Sequence, residues 1–157
     1  MRVESGDSMN PTITYDTKQF DAALKKITID VATLQKFEQK GARVLIEGMK
    51  ERAAVDSGEM RDGIQSHITE ASIQKIEDEV GPEVKYAIYQ EYGTGIYAEN
   101  GQGRSTPWVY RRKDGTFVTT QGNRPHPFVR PTAINDKDKT INAIEAEFKR
   151  FILTKWN

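Results

Sequence analysis

The sequence has no cysteine, only two histidines, and no excess of either charge. Without cysteine the chain can form neither disulfides, nor iron–sulfur clusters, nor thiolate zinc sites. His67 and His126 are too few for a multi-histidine metal centre. The 23 basic and 23 acidic side chains cancel, whereas a dedicated DNA-binding domain usually carries a basic excess. Composition therefore argues against disulfide scaffolds, metal centres and dedicated DNA-binding domains.

Long apolar runs are missing as well. No stretch approaches the roughly 20 residues that a membrane-spanning helix needs, and residues 1–10 are polar, unlike the core of a signal peptide. We therefore expect a protein made in the cytoplasm, with no membrane partner. A chain of 157 residues is long enough to bury its own core. We predict one domain over residues 1–157, with residues 1–12 as a flexible arm and 95–123 as an extended loop or hairpin.

Apolar residues at spacings of three and four predict a long helix over about 31–54 and a C-terminal helix over about 138–155. Gly41 and Gly48 lie seven residues apart on the apolar stripe of the long helix. Glycine costs roughly 1 kcal/mol relative to alanine inside a helix. Two glycines on one face therefore indicate a closely packed neighbour, in this chain or in another copy.

A short helix is predicted over 84–92, with Val84, Ala87, Ile88 and Tyr92 on one side. Alternating apolar residues over 64–69, followed by 72–80, predict a first pair of strands. A turn at 113–115 predicts a second hairpin between 108–110 and 116–118. The predicted class is α+β: a small antiparallel sheet packed against a long N-terminal helix, a short central helix and a C-terminal helix.

Turn residues punctuate the sequence after the long helix and after the central helix. Asp56, Ser57 and Gly58 are typical of a helix start, and Gly93 is typical of a helix exit. The alternative to a helix start is that Asp56 and Glu59 form a pair of catalytic carboxylates. No acid–base, metal or cofactor-binding arrangement is recognisable, so we predict no enzymatic activity and no cofactor.

The segment 104–130 combines positive charge with aromatic rings. Such a segment could stack on bases and neutralise phosphates, or it could form a protein interface, where arginine and aromatics are enriched. The balanced total charge favours a protein interface, and a nucleic-acid-binding module is the alternative. Glu91 is a candidate partner for one of the arginines in a neighbouring subunit. The basic residues are Arg104, Arg111, Arg112, Lys113, Arg124 and Arg130, and the aromatic ones are Trp108, Tyr110, Phe117 and Phe128.

Three motifs in a fixed order resemble a known family over about residues 30–155. They are Val-Asp-Ser-Gly-x-Met-Arg at 55–61, Tyr-Ala followed by Glu-Tyr-Gly-Thr at 86–94, and Pro-Phe-Val-Arg-Pro at 127–131. Together they resemble the tail-component proteins of long-tailed bacteriophages, which are also called tail-completion, neck or head–tail joining proteins. One departure is Ala54, where the family usually has proline.

The resemblance implies a structural protein of the virion, assembled in the host cytoplasm. It implies a ring of subunits, of six-fold symmetry, that completes the tail and joins it to the head connector. The implied partners are other copies of the chain, a connector or stopper protein on the head side, and the tail tube or its terminator protein, with a passing contact to genomic DNA. The predicted interface residues are Tyr86, Glu91, Tyr92, Thr94, Trp108, Tyr110, Arg111, Arg112, Arg124, Phe128 and Arg130.

Overall fold

The computed structural model describes residues 2–4, 12–14 and 18–156. The predicted mixture of helices and strands is confirmed. The other residues of the predicted arm, 1 and 5–11, lie outside the described part. The helices are α1 (Lys18–Lys26), α2 (Val31–Arg52), α3 (Glu59–Asp62), α4 (Ala87–Tyr92), α5 (Val129–Asn135) and α6 (Lys137–Trp156). The strands are β1 (Arg2–Glu4), β2 (Thr12–Thr14), β3 (Ile64–Ala71), β4 (Ile76–Pro82), β5 (Trp108–Arg111) and β6 (Phe117–Thr120), and Gly95–Tyr97 forms a turn of 3-10 helix.

The described strands pair as three separate antiparallel hairpins, β1–β2, β3–β4 and β5–β6. The antiparallel pairing that the sequence predicts is confirmed, and in the described part of the chain it takes the form of separate hairpins. In β3–β4, Ser66 pairs with Val80, and the register shifts between Ile68 and Glu70. The turn of this hairpin forms where Ser72 and Lys75 exchange backbone hydrogen bonds. The second predicted hairpin is confirmed, with Trp108 opposite Thr120.

Helix α2 packs antiparallel to α6. It begins at Asp30, whose carboxylate accepts a hydrogen bond from the Thr33 backbone N–H at 2.8 Å, the usual way of satisfying a free amide at a helix start. Phe37 of α2 meets Phe148 edge-on, with ring centroids 5.7 Å apart. The close neighbour that the glycines indicated is this helix, because a side chain at Gly41 would collide with Ile144.

The hydrophobic core gathers around Phe128, which is fully buried. Its cluster contains residues from α2 and the position after it, α3, β3 and α4: Met49, Ala53, Met60, Ile64 and Ala87. The three sequence motifs converge here, since Met60 belongs to the first, Ala87 to the second and Phe128 to the third. The motifs lie far apart in sequence, but each supplies one residue to the same core.

Helix α5 was not predicted, because the prolines around it were interpreted as breakers. Pro131 lies in the first turn of α5, where backbone N–H groups have no acceptor within the helix and a proline is tolerated. The backbone N–H groups of Phe128, Val129 and Arg130, just before it, donate hydrogen bonds to the carboxylate of Glu91 in α4. A tertiary contact therefore starts this helix, and local sequence alone does not reveal it.

Candidate assembly surface

A buried carboxylate connects the second and third motifs. Glu91 of α4 has only 4% of its surface exposed. It accepts hydrogen bonds from the backbone N–H groups of Phe128 at 2.8 Å, Val129 at 2.9 Å and Arg130 at 3.1 Å. These are free amides at the start of α5, where the helix dipole also favours negative charge. Glu91 thereby caps a helix that lies 37–39 residues further along the chain.

Arg130 completes this network on the outer side. Its Nε donates to Glu91 at 2.9 Å, and its two terminal nitrogens donate to the Glu99 carboxylate at 2.9 and 3.0 Å. The guanidinium also lies over the Tyr92 ring, 4.6 Å from its centroid. These ion pairs raise the pKa of Arg130 above its ordinary value. The sequence predicts that Glu91 pairs with an arginine of a neighbouring subunit. In the structure the arginine that binds Glu91 is Arg130 of the same chain.

The ionisation of Glu91 reflects two opposing effects. Burial by itself would raise its pKa, but the three backbone donors and the Arg130 guanidinium favour the charged form. The outcome is a pKa below the ordinary value of 4.5. Glu91 is therefore a charged structural group whose carboxylate is bound within the chain, and its predicted role as an intersubunit partner stays a prediction.

A second buried ion pair ties α2 to the helices that follow the core. Arg52 donates to Asp136 at 2.7 Å, and Lys139 contacts the other carboxylate oxygen at 3.0 Å. The hydrogen bond from Lys139 and the contact with Arg52 hold the pKa of Asp136 below its usual range, against the effect of burial. The signal in sequence was a charged residue, Arg52, on the otherwise apolar stripe of α2.

The long loop after α4 is fixed at its root. Thr94 donates its backbone N–H to Asn123 at 2.9 Å, and Ile96 donates to Gln121 at 3.0 Å. The Thr94 hydroxyl accepts from the backbone N–H of Asn123 at 2.9 Å. The two ends of the loop therefore run side by side, and the predicted interface residue Thr94 has a structural role at their junction.

Gly95 allows this close crossing of the two chain segments. Its φ of 61° lies in the left-handed region, and a Cβ at this position would overlap the carbonyl group of Gln121. Both the backbone angle and the missing side chain are therefore required. The predicted exit turn at Gly93 also has a positive φ, of 74°. The sequence-predicted glycine exit is thus a defined junction rather than an open loop.

The helix α4 has an unexpected orientation. Ala87 and Glu91, one turn apart, face the core, whereas Ile88 and Tyr92 point to the outside. The prediction that Ile88 and Tyr92 share the buried side was wrong, because the inward position one turn after Ala87 is taken by the carboxylate that caps α5. Together with neighbouring residues they form what we call the α4 surface: Tyr86, Ile88, Tyr89, Tyr92 and Ile96, each more than 40% exposed.

A groove of about 350 Å³ runs along the α4 surface and the loop root. It is lined by Ile88, Tyr89 and Tyr92 of α4 and by the loop residues Gly93, Thr94, Gly95, Ala98, Asn100, Gln102 and Gly103. Large contiguous apolar patches are rare on the surfaces of monomeric proteins, and they often mark binding sites. The signal in sequence was a six-residue helix with more apolar positions than its single buried face can use.

The β5–β6 hairpin exposes a second apolar surface, which is also basic. Val109, Arg111, Phe117 and Thr119 share one face, because Val109 pairs with Thr119 and Arg111 with Phe117. On this face Phe117 is 73% exposed and Val109 is 60% exposed. The opposite face carries the half-buried Trp108 and Val118. The apolar residues of the outer face were not among the predicted interface residues.

The predicted interface residues fall into three groups. Glu91 and Phe128 are buried, so they stabilise the chain and do not form its outer surface. Thr94, Arg124 and Arg130 make contacts within the chain, with Arg124 lying 4.8 Å from the Tyr97 ring centroid. The others lie wholly or partly at the surface: Tyr86, Tyr92, Trp108, Tyr110, Arg111 and Arg112.

The turn after α2 starts a helix, as its residues indicated. Gly58 adopts a left-handed conformation with φ of 85° and lies at the start of α3. The Ser57 hydroxyl accepts from the Glu59 backbone N–H at 3.4 Å.

In the described part of the chain, the two histidines and the acidic residues do not gather into a metal site. His67 contacts Glu83 at 3.3 Å beside the β3–β4 hairpin. Over residues 2–4, 12–14 and 18–156, no group of three or more His, Asp or Glu could hold a metal ion, and no helix is long and apolar enough to cross a membrane.

The fold and these surfaces define a class of protein: a small α+β domain with a rigid core, an exposed aromatic helix and a projecting basic hairpin. Residues 17–93, just under half of the chain, match the family model described as "Bacteriophage HK97-gp10, putative tail-component", so this part of the chain is similar to that family of phage tail components. No curated protein and no solved structure matches the chain. The resemblance to phage tail components is thereby confirmed, and with it a coarse function as a structural part of a phage tail.

Proposed function

We propose that this chain forms a ring at the neck of a phage particle, where it completes the tail and joins it to the head connector. The observation that carries the proposal is the pairing of a rigid core with two exposed apolar surfaces. The α4 surface and the outer face of the β5–β6 hairpin lie on different elements and differ in composition. Two unlike surfaces on one chain suit a subunit that binds other copies of itself as well as other proteins, and head-to-tail contacts between copies close into a ring when the rotation between copies allows it.

The proposed partners are other copies in a six-membered ring, a connector or stopper protein on the head side, and the tail tube or its terminator protein. The α4 surface would contact these head-side and tail-side proteins. Genomic DNA passes through the neck, so contact with DNA is a secondary feature of the same proposal. The chain acts by binding and positioning, with no catalysis and no cofactor, in the virion after assembly in the host cytoplasm.

Purified protein mixed with isolated tail tubes tests the proposal. We expect rings at one end of the tubes in negative-stain images, and a shift in mass by light scattering when assembly occurs in solution. Protein that stays monomeric at every concentration and leaves both tube ends bare would contradict the proposal.

A DNA-binding assay on the same protein separates the rival function. A module that uses Arg104, Arg111, Arg112 and Lys113 on nucleic acid would bind DNA with an affinity that falls steeply as salt rises. We expect weak binding, because the total charge of the chain is balanced and because two further arginines of the segment, Arg124 and Arg130, are already stacked or paired within the chain. Strong, salt-sensitive binding together with bare tubes would favour the nucleic-acid module.

A further inference from the structure

The two larger hairpins carry opposite charges. Residues 64–83 hold Glu70, Glu77, Asp78, Glu79 and Glu83 against one lysine, Lys75. The β5–β6 hairpin and its approach hold Arg104, Arg111, Arg112 and Lys113 against one acid, Asp114. The first segment contributes a net charge of −4 (one base, five acids) and the second a net charge of +3 (four bases, one acid), within a chain whose net charge is zero. Such segregation creates surface potentials that a neutral total does not reveal.

Part of this charge lies on outward faces, whereas the carboxylate oxygens of Asp78 are buried. In β4 the exposed Glu77 and Glu79 alternate with the half-buried Ile76, Asp78 and Val80, so that the two glutamates project away from α2. We call this the acidic face. In β5–β6 Arg111 lies beside the exposed Val109 and Phe117, and we call this the basic face.

The two faces do not neutralise each other within one chain. Among the described residues, the ion pairs of the β3–β4 hairpin stay inside residues 64–83. On the basic hairpin, only Lys113 pairs, with Glu59 at 3.7 Å. Arg111, Arg112 and Glu79 form no ion pair with any residue that the structure describes. The acidic face therefore keeps the charge of Glu79 unpaired, while its Glu77 binds Lys75 at 2.6 Å, and the basic hairpin keeps the charges of Arg111 and Arg112 unpaired.

The basic hairpin also lacks packing support. It has two strands only, and an isolated two-stranded hairpin is at best marginally stable in water. Its outer face leaves Phe117 73% exposed, and its open strand edges can accept further backbone pairing. A partner of negative charge that covers this face would stabilise the hairpin and remove apolar surface from water.

We propose that the basic face of one copy docks on the acidic face of the next copy around the ring. The argument for a second copy as the occupant is charge complementarity: the same chain carries the two matching faces, on elements that do not pair with each other. The contact is heterologous, so each copy uses both faces and the chain of contacts closes on itself. This inference rests on the proposed ring and names the surfaces that build it.

Engineered cysteines test the contact, because the natural chain contains none. His67→Cys places a thiol on the acidic hairpin opposite Glu79, and Thr119→Cys places one on the basic face. A short bis-maleimide should link a mixture of the two single variants into dimers. A chain with both cysteines should give a ladder of covalent species that stops at the size of the closed ring. Pairing His67→Cys with Lys149→Cys on α6 is the control and should give no ladder.

Charge reversal provides the second arm. Arg111→Glu with Arg112→Glu makes both faces acidic, and Glu77→Lys with Glu79→Lys makes both faces basic, so each double variant alone should lose the ladder. A 1:1 mixture should regain it, because every contact in an alternating ring is again between opposite charges. The ladder should also weaken at high salt, because the distance over which exposed charges interact falls from about 8 Å at physiological ionic strength to about 3 Å at 1 M salt.

The outcomes separate the two proposals. Rings on tail tubes without a ladder, or a ladder that survives both reversals, would overturn the docking contact and leave the neck ring standing. Neither rings nor ladder would overturn both. Loss of DNA binding in the Arg111→Glu, Arg112→Glu variant, with ring formation unchanged, would show that the basic face serves nucleic acid and would overturn the docking contact.

Discussion

At the scale of single residues, two buried carboxylates join parts of the chain that are far apart in sequence. Glu91 binds the start of α5 through three backbone N–H groups, and Asp136 binds Arg52 of α2. Breaking such a pair costs more than forming it gains, because the remaining polar groups stay buried without partners. The orientation of α4, and with it the exposed aromatic surface, depends on Glu91 staying charged and bound.

Glu91→Gln should lower the free energy of unfolding by about 2–4 kcal/mol at neutral pH. The variant loses the negative charge that binds Arg130 and the backbone N–H groups of α5. The NH₂ group of the glutamine side chain would also face these N–H donors, with which it cannot form hydrogen bonds. Because the folded pKa of Glu91 lies below 4.5, its contribution is full above the unfolded pKa and disappears as pH falls through the folded value. Urea unfolding of both proteins from pH 7 to pH 3 measures this difference, which should shrink below about pH 4.5.

The matched control is Glu99→Gln, which removes the exposed partner of the same arginine. An exposed ion pair contributes at most about 1 kcal/mol, so this variant should stay close to the wild type. Equal losses for the two variants would show that Glu91 has no special structural role.

At the scale of elements, packing distance decides where helices can meet. Gly48 lies where α2 approaches the junction of α5 and α6, so close that a Cβ there would collide with the Asp136 carboxylate and lie 3.0 Å from Thr132. The loop root depends in the same way on Gly95. Helix packing therefore requires glycine at position 48, and the crossing of the two loop segments requires glycine at position 95.

Gly48→Ala should destabilise the protein by about 1–3 kcal/mol through overpacking. The roughly 1 kcal/mol that alanine gains from helix propensity offsets only part of this cost. Gly81→Ala is the control, since a Cβ at Gly81 would meet no atom within 4 Å, and it should change stability by about 0.5 kcal/mol or less. Thermal or urea unfolding of the two variants provides the comparison, and a stabilised Gly48→Ala protein would refute the packing account.

Gly95→Ala should loosen the loop 95–123 and speed its cleavage by trypsin. The substitution forces a left-handed backbone on alanine, at roughly 1–2 kcal/mol, and also drives a methyl group into the Gln121 carbonyl. Gly101→Ala is matched in backbone angle, with φ of 67°, but has no neighbour within 4 Å. Cleavage rates should therefore rise more for Gly95→Ala than for Gly101→Ala, and the same rate in both would mean that the crossing does not hold the loop.

Much of the fold was predictable from the sequence, because long helices and turns depend on local patterns. The periodicity of 31–54 and 138–155 predicted α2 and α6, and the turn at 113–115 predicted the β5–β6 hairpin. Helix α5 and the orientation of α4 were not predictable, because both depend on a contact between Glu91 and backbone 37–39 residues away. The buried role of Phe128 was missed for the same reason: its surroundings come from all three motifs.

The exposed surface was only partly predictable. Basic and aromatic composition drew attention to residues 104–130, and Arg111, Arg112 and Tyr110 do lie at the surface. Composition could not distinguish these from Arg124 and Arg130, which the fold places against Tyr97 and Glu91. The acidic face was missed because alternating glutamates on a strand are the ordinary pattern of a solvated hairpin.

At the scale of the whole molecule, the chain combines a rigid core with separate exposed surfaces of opposite charge. The core brings the three motifs together around Phe128, and the hairpins and α4 extend outward from it. This division fits a subunit whose stability is its own and whose surfaces serve assembly. The family match over residues 17–93 supports a role in the phage tail, and the neck ring is the specific form of that role that we propose.

The most direct test is to delete this protein from a phage that encodes it and to image the particles that accumulate. The neck-ring account predicts heads filled with DNA and separate tails of normal length that fail to join, and it predicts that adding the purified protein restores joined, infectious particles. Complete and infectious particles in its absence, or a defect confined to the distal end of the tail, would contradict the account.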